Sequence, residues 1–286
     1  MYLKIADFII KISGKIYPEF YDRFKNYIIE NANSFNLEIN LSEDDNIPIP
    51  DKKMAGPYKR WYHLLNDDGS ACTMRQDEIL KKGIVRIDLN KEGNKADIKI
   101  WNREKDYPQE KAYFAAFFTI GEAFSYSLLK NKMAVLHSSS IIIDGNAIAF
   151  SAKSGTGKST HTKMWKDNFD DCIILNDDTP VIRFNNDIPY LFGSPFAGTS
   201  GINQNTSAPL KAIVFLQQAD ENKIEKLSGI KAISYFLDEI KKPIVPDFLD
   251  LCLELTEHLL KTVPVYLLSC TPEFEAVELV KNTIGI

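Results

Sequence analysis

The sequence predicts an α/β protein in two parts, and three observations carry that expectation. The chain has 286 residues, 44% hydrophobic and 26% charged. That balance suits a globular protein long enough to bury a core without disulfide or metal staples. From about residue 109 onward, strand-like apolar runs and helical periods are interspersed, the pattern of a sheet flanked by helices. A glycine-bearing run, Ser154-Gly-Thr-Gly-Lys158, lies between a short apolar strand and a helical pattern, where anion-binding loops occur.

Residues 1–105 read as a small α+β subdomain. Tyr2 to Ile12 alternates loosely like one strand, and after Pro18 a helical period (Phe20, Phe24, Ile28, Ile29) runs to about Asn33. Leu37 to Leu41 reads as a short strand, and the acidic, proline-bearing Ser42–Gly56 as a loop. Tyr58–Leu65, Ile84–Leu89 and Ala96–Trp101 are further strand candidates, with turn signals after two of them. The polar stretch Asn102–Pro108 has the composition of a linker and sets the expected domain boundary. Residues 106–286 form the second part. It begins with a helix from about Gln109 to Lys130, then Ser138–Ile143 and Ala147–Phe150 joined by Asp144-Gly-Asn, a hairpin signal. A helix at Lys158–Trp165, a strand at Cys172–Leu175, and strands at Ala212–Leu216 and Val263–Leu268 follow. Helices are expected over Ile230–Ile240, Phe248–Lys261 and Glu273–Thr283.

Composition also sets aside several classes. A net charge of -5 argues against a general nucleic-acid binder. The four cysteines (Cys72, Cys172, Cys252, Cys270) form no CxxC pair, which suits free thiols in a reducing compartment. Lys4 and Asp7 interrupt the N-terminus, so no signal peptide is read there. The longest apolar stretch, Ala112–Leu129, carries Glu122 in its middle and reads as a buried helix rather than a membrane span. The expectation is a cytoplasmic protein with neither nucleic acid nor membrane as partner. A homo-oligomer stays open.

The chemistry rests on Phe150-Ser-Ala-Lys-Ser-Gly-Thr-Gly-Lys-Ser-Thr-His161. Against the Walker A pattern GxxxxGK[ST], it fits at Gly157, Lys158 and Ser159, with Ala152 in place of the first glycine. Gly155 and Gly157 let backbone N–H groups curl around phosphate oxygens, and the following helix adds its N-terminal dipole. Lys158 supplies charge to the β- and γ-phosphates, and the Ser159 hydroxyl can ligate Mg²⁺. The expected ATP-binding set is therefore Ser154, Gly155, Thr156, Gly157, Lys158, Ser159 and Thr160.

Downstream, a strand ends in Asn176-Asp-Asp178. Two consecutive acids at a strand end point in different directions, so one can serve a metal and the other accept a proton from an attacking hydroxyl. Asp177 is expected as the base and Asp178 as the metal ligand. The plainer alternative is a solvated Asn-Asp-Asp turn. His137 is either a core histidine at a strand start or a group that meets phosphate. His161 reads as a surface or supporting residue, and His63 and His258 have no partner at ligand spacing. The long polar segment Leu191–Thr206 reads as an acceptor-binding or closing loop.

Taken together, Leu136-His-Ser-Ser, Phe150–Thr160 and Leu175-Asn-Asp-Asp resemble the HPr kinase/phosphorylase superfamily. These are P-loop kinases whose nucleotide site is similar to that of phosphoenolpyruvate carboxykinase. The resemblance is specific over about 136–180 and looser beyond, and it leaves the first hundred residues uncovered. It implies a P-loop kinase domain of that type over 106–286, ATP and Mg²⁺ as cofactors, and His137 beside the acids as a candidate catalytic residue. The chain departs from the family at Ala152 and has no arginine after Arg183, where the family places one at the transferring phosphate; a lysine such as Lys211 would have to serve. The activity implied is transfer of the γ-phosphate to a hydroxyl of a peptide, protein serine or small metabolite. The alternative is a nucleotide-binding regulatory or assembly module with no dedicated acceptor.

Overall fold

The structure, a computed structural model, describes residues 1–58, 60–77, 82–102 and 109–286. All but Asn102 of the expected linker at 102–108 lies outside the described residues. Among the described residues the architecture is mixed α/β, with two nine-stranded sheets that share no strand. Two compact units form, residues 1–131 with 242–251, and residues 132–241 with 252–286.

The first unit carries β1 (Tyr2–Ile5), β2 (Phe8–Gly14), α1 (Glu19–Phe24), β3 (Ile28–Ile29), β4 (Leu37–Asp44), β5 (Ala55–Tyr58), β6 (Trp61–Leu65), β7 (Ala71–Asp77), β8 (Lys82–Leu89), β9 (Lys95–Trp101) and α2 (Gln109–Lys130). Its sheet runs β3-β1-β2-β4-β9-β8-β7-β6-β5. Strands β2, β4 and β9 alternate buried and less buried residues, the period of a sheet with one face packed. Helix α2 packs on β4, β8 and β9, and its Phe117 and Phe124 meet Phe24 and Phe8 at ring-centroid distances of 5.4 and 5.7 Å. This aromatic packing is why the division between units falls after Asn131 rather than at the expected 105/106. The single strand expected over Tyr2–Ile12 is a hairpin, because Ala6 and Asp7 both adopt positive φ and turn the chain. The expected helix to Asn33 stops at Phe24, and Ile28 and Ile29 pair with β1 instead, where a β-branched pair fits a pleated edge.

In the second unit come β10 (Ala134–Val135), β11 (Ser138–Ile143), β12 (Asn146–Ser151), α3 (Lys158–Asn168), β13 (Ile173–Asn176), β14 (Val181–Asn185), β15 (Ile188–Phe192), β16 (Ser207–Gln218), β17 (Lys223–Leu227), α4 (Gly229–Glu239), α5 (Pro246–Thr262, its first residues counted with the first unit), β18 (Val265–Cys270) and α6 (Phe274–Ile284). The sheet runs β10-β14-β15-β16-β12-β11-β13, with β18 beside the end of β16 and β17 beyond it. Asp144 and Gly145 have positive φ and close the β11–β12 hairpin, as their sequence signals. Strands β12, β16 and β18 are parallel, so their C-terminal ends share one edge, where open α/β sheets bind ligands. Apolar residues of α3 and α6, among them Trp165, Val277 and Val280, pack with Phe150, Val214 and Leu268 in one cluster. Phe215, on the other face of β16 by the strand period, meets Phe236 of α4 at 5.4 Å.

Among the described residues, no helix is long and apolar enough to cross a membrane.

Candidate functional site

The site is built where β12 ends. Ser151 closes the strand, residues 152–157 form a loop, and α3 begins at Lys158. Gly155 and Gly157 have φ of 83° and 115°, and a Cβ on either would meet nothing within 4 Å. The demand for glycine there is therefore conformational rather than a matter of space. Ala152 is the opposite case. It is not in the left-handed region, and its methyl is 6% exposed within the α3/α6 cluster, so alanine serves at that position.

Gly157 is the N-cap of α3 and supplies no side-chain bond to the first turn. The leading N–H groups of such a turn have no intrahelical acceptor, and together with the dipole they favour an anion. Ser154, Gly155, Ser159 and Thr160 are exposed, and Thr156 and Gly157 partly so. Lys158 is buried, and its Nζ donates to the Ala152 carbonyl at 2.8 Å, curling back across the loop root. A cleft of about 540 Å³ opens beside the loop, lined by 151–156 on one wall and by Gln217, Gln218, Tyr235, Asp238 and Glu239 on the other. Gln218 Nε2 also donates to the Thr156 carbonyl at 3.3 Å.

Two strands away, β13 delivers the acid pair. Asn176, fully buried, accepts from the N–H groups of Asp178 (3.0 Å) and Thr179 (2.6 Å) through Oδ1, while Nδ2 donates to the Ser194 carbonyl at 2.7 Å. The buried carboxamide thus fixes the backbone of the Asn-Asp-Asp turn. Asp177 Oδ1 accepts from Ser139 Oγ at 2.7 Å, and that hydroxyl meets Thr162 Oγ1 of α3 at 2.7 Å. Asp178 Oδ1 lies 3.5 Å from His137 Nε2, and His137 Nδ1 lies 2.6 Å from Glu239 Oε2. Ser151 Oγ donates to the His137 carbonyl at 2.8 Å, so His137 sits at the root of the loop.

The structure therefore brings His137 and Asp178 together and ties Asp177 to α3 through Ser139 and Thr162. Among the described residues, no hydrogen bond joins Ser159 Oγ to either carboxylate. Nor is any group of three or more His, Cys, Asp or Glu side chains placed to hold a metal. The donor set that is present, a hydroxyl and a carboxylate, consists of hard oxygens. That suits Mg²⁺, which commonly takes one or two protein ligands and completes its shell with phosphate and water.

Several sequence expectations change here. Of the two readings of His161, surface or supporting, the surface one falls: it is 2% exposed, its ring tilted against Phe150 at 4.6 Å, and burial pushes its pKa down to about 4. Lys211 is exposed near the start of β16, level with the Ala147–Ile148 end of β12 and away from the loop, so it does not supply the missing cation. The segment 193–206 is largely buried at 193–197 and fastens the acid turn. Thr179 Oγ1 donates to the Phe196 carbonyl, the Asp177 N–H donates to Ile202, and Gly198 packs against Asp178. Sequence reasoning missed Glu239, Ser139, Thr162 and Asn176. Only Asn176, adjoining the acids at a strand end, carried a local signal.

No family model matches the chain, and no curated protein matches it. Among solved structures, the Hpr(Ser) kinase/phosphatase from Coxiella burnetii is similar over 52% of this chain and 95% of that one, at 13% identity and a TM-score of 0.32.

Proposed function

We propose that the chain is an ATP-dependent kinase that transfers the γ-phosphate to a hydroxyl of a peptide, protein serine or small metabolite. The observation that carries this reading is one corner of the second unit. There a strand–glycine loop–helix with a buried lysine stands beside an aimed pair of carboxylates. A protein that only held nucleotide would need the loop but not a second, separately oriented acid.

In this reading the loop N–H groups and the first turn of α3 bind the phosphates of ATP, and Lys158 exchanges its bond to the Ala152 carbonyl for phosphate oxygen. Asp177, already accepting from Ser139, takes the proton of the acceptor hydroxyl. The acceptor oxygen forms its bond to the γ-phosphorus while the bond from that phosphorus to the bridging oxygen breaks, and ADP leaves. Mg²⁺, when bound, neutralises charge between the β- and γ-phosphates, and Ser159 and Asp178 are the residues that would hold it. The cleft beside the loop falls in the size range of small-molecule sites.

The test is calorimetric titration with MgATP followed by ADP release measured against a panel of hydroxyl acceptors. Saturable MgATP binding with acceptor-dependent ADP release supports the kinase. Binding with turnover indifferent to every acceptor favours the nucleotide-binding module, and absence of binding sinks both.

A further inference from the structure

The chain Glu239–His137–Asp178 contains a residue that no motif marks, 102 positions from its partner in sequence. Glu239 is 4% exposed at the end of α4, and a carboxylate so buried is retained when something holds it or needs it. The backbone around the end of α4 makes anchoring bonds of its own. The His137 N–H already donates to the Glu239 carbonyl at 3.0 Å, the Lys241 N–H to Val135 at 3.0 Å, and Leu136 and Ile240 form a bridge. The side chain adds a contact to the ring, His137 Nδ1 to Oε2 at 2.6 Å.

We propose that Glu239 is a positioning residue: its carboxylate fixes His137 with a proton on Nδ1 and with Nε2 facing Asp178. An ionised carboxylate accepts but cannot donate, so with Glu239 ionised the 2.6 Å contact to Oε2 places the proton on Nδ1. With the His137 carbonyl held by Ser151 and Nδ1 committed to Glu239, Nε2 is the ring atom left facing Asp178 Oδ1, 3.5 Å away; it accepts from a hydroxyl bound beside it when the ring is neutral and donates to Asp178 when the ring carries a second proton. Without the carboxylate, the ring can flip and exchange tautomers, and the Nε2–Asp178 approach is kept for only part of the time. The catalytic consequence rests on the kinase reading above; the hold on the ring does not.

The experiment compares the full-length parent with E239Q and E239D by ¹⁵N-detected imidazole spectra and by MgATP turnover. Gln keeps the shape but offers both a donor and an acceptor, so it no longer selects one tautomer. The expected parent spectrum has a protonated Nδ1 on His137. E239Q should lose that preference, with turnover down on the order of 10–100-fold, the size typical when a residue orienting a functional histidine is removed, while KM for MgATP holds steady. E239D should restore part of both. A parent ring protonated only on Nε2 overturns the proposal, as does an E239Q ring spectrum identical to the parent's. So does a changed ring with unchanged turnover. Should E239Q fail to fold, the parent spectrum decides. A parent that turns over no ATP instead overturns the kinase reading, and the spectra then judge the hold of Glu239 on the ring by themselves.

Discussion

At the scale of single residues, the two acids are distinguished by their partners. Asp177 accepts from a buried serine that also meets α3, whereas Asp178 faces an imidazole. On the proposed chemistry, Asp177→Asn should spare MgATP binding and cut phosphoryl transfer by roughly 10²-fold, the usual range for loss of a general base. Asp178→Asn should instead raise the Mg²⁺ concentration needed for half-maximal rate. Equal transfer rates in parent and both variants would end the assignment. Lys158→Ala removes the charge meant for phosphate, and MgATP affinity should fall in titration calorimetry; parental affinity in that variant would remove the loop from the site. Lys158 and the acids were legible as candidates because their proposed chemistry is tied to a local pattern of glycines and a strand end. Glu239 was not, since it reaches His137 only through the tertiary pairing of the segment around Leu136 with the end of α4.

At the scale of elements, the loop and α3 show why some glycines are obligatory and others are not. Gly157 stands at φ 115° as the N-cap of α3, so a side chain there is strained although space is open. Gly157→Ala should cost about 1–3 kcal/mol, the range for a residue held in a disfavoured backbone region, and should weaken MgATP binding by misdirecting the first N–H groups of the helix. Ala152→Gly should leave binding near parental and destabilise by about 1 kcal/mol, from one buried methyl and added chain freedom. Urea melts and MgATP titrations of the two variants decide the point, and the reverse ranking would refute the division of roles. The same local logic made β11, β12, α3 and α2 readable, since each rests on a turn dipeptide, a glycine loop or a long apolar period. It failed where tertiary pairing overrode the pattern. Ile28 and Ile29 fit a helical period yet join a sheet edge, and β14–β15 turns at Asn186 and Asp187, both at positive φ, a signal present in Asn185-Asn-Asp but not taken up.

At the scale of the whole molecule, each compact unit holds one buried histidine that folding keeps neutral. His63 lies in the first unit and His161 in the second; burial pushes both down from 6.5 to about 4, with the charge of Glu122 acting weakly the other way on His63. His161 Nε2 accepts from Trp165 Nε1 at 3.2 Å, so an added proton there would turn an acceptor into a donor and break that bond. His63 Nδ1 meets Thr73 Oγ1 at 3.1 Å, and its Nε2, like His161 Nδ1, is buried with no hydrogen-bond partner among the described residues. The unfolded chain takes up these protons near pH 6.5 and the folded chain only near pH 4. Stability from neutral burial is therefore complete above about pH 6.5, declines as the pH falls through that window, and levels off below about 4, by roughly 3 kcal/mol per histidine. Trp165 is the one tryptophan of the second unit, since Trp61 and Trp101 lie in the first. Urea melts followed by Trp165 fluorescence in a W61F/W101F background therefore read the second unit alone. A His161→Gln variant, whose side-chain oxygen can still accept from Trp165, should flatten the pH dependence of that unit between 6.5 and 4. Parallel slopes for variant and parent would show that His161 does not set the acid limit of the unit that carries the candidate site.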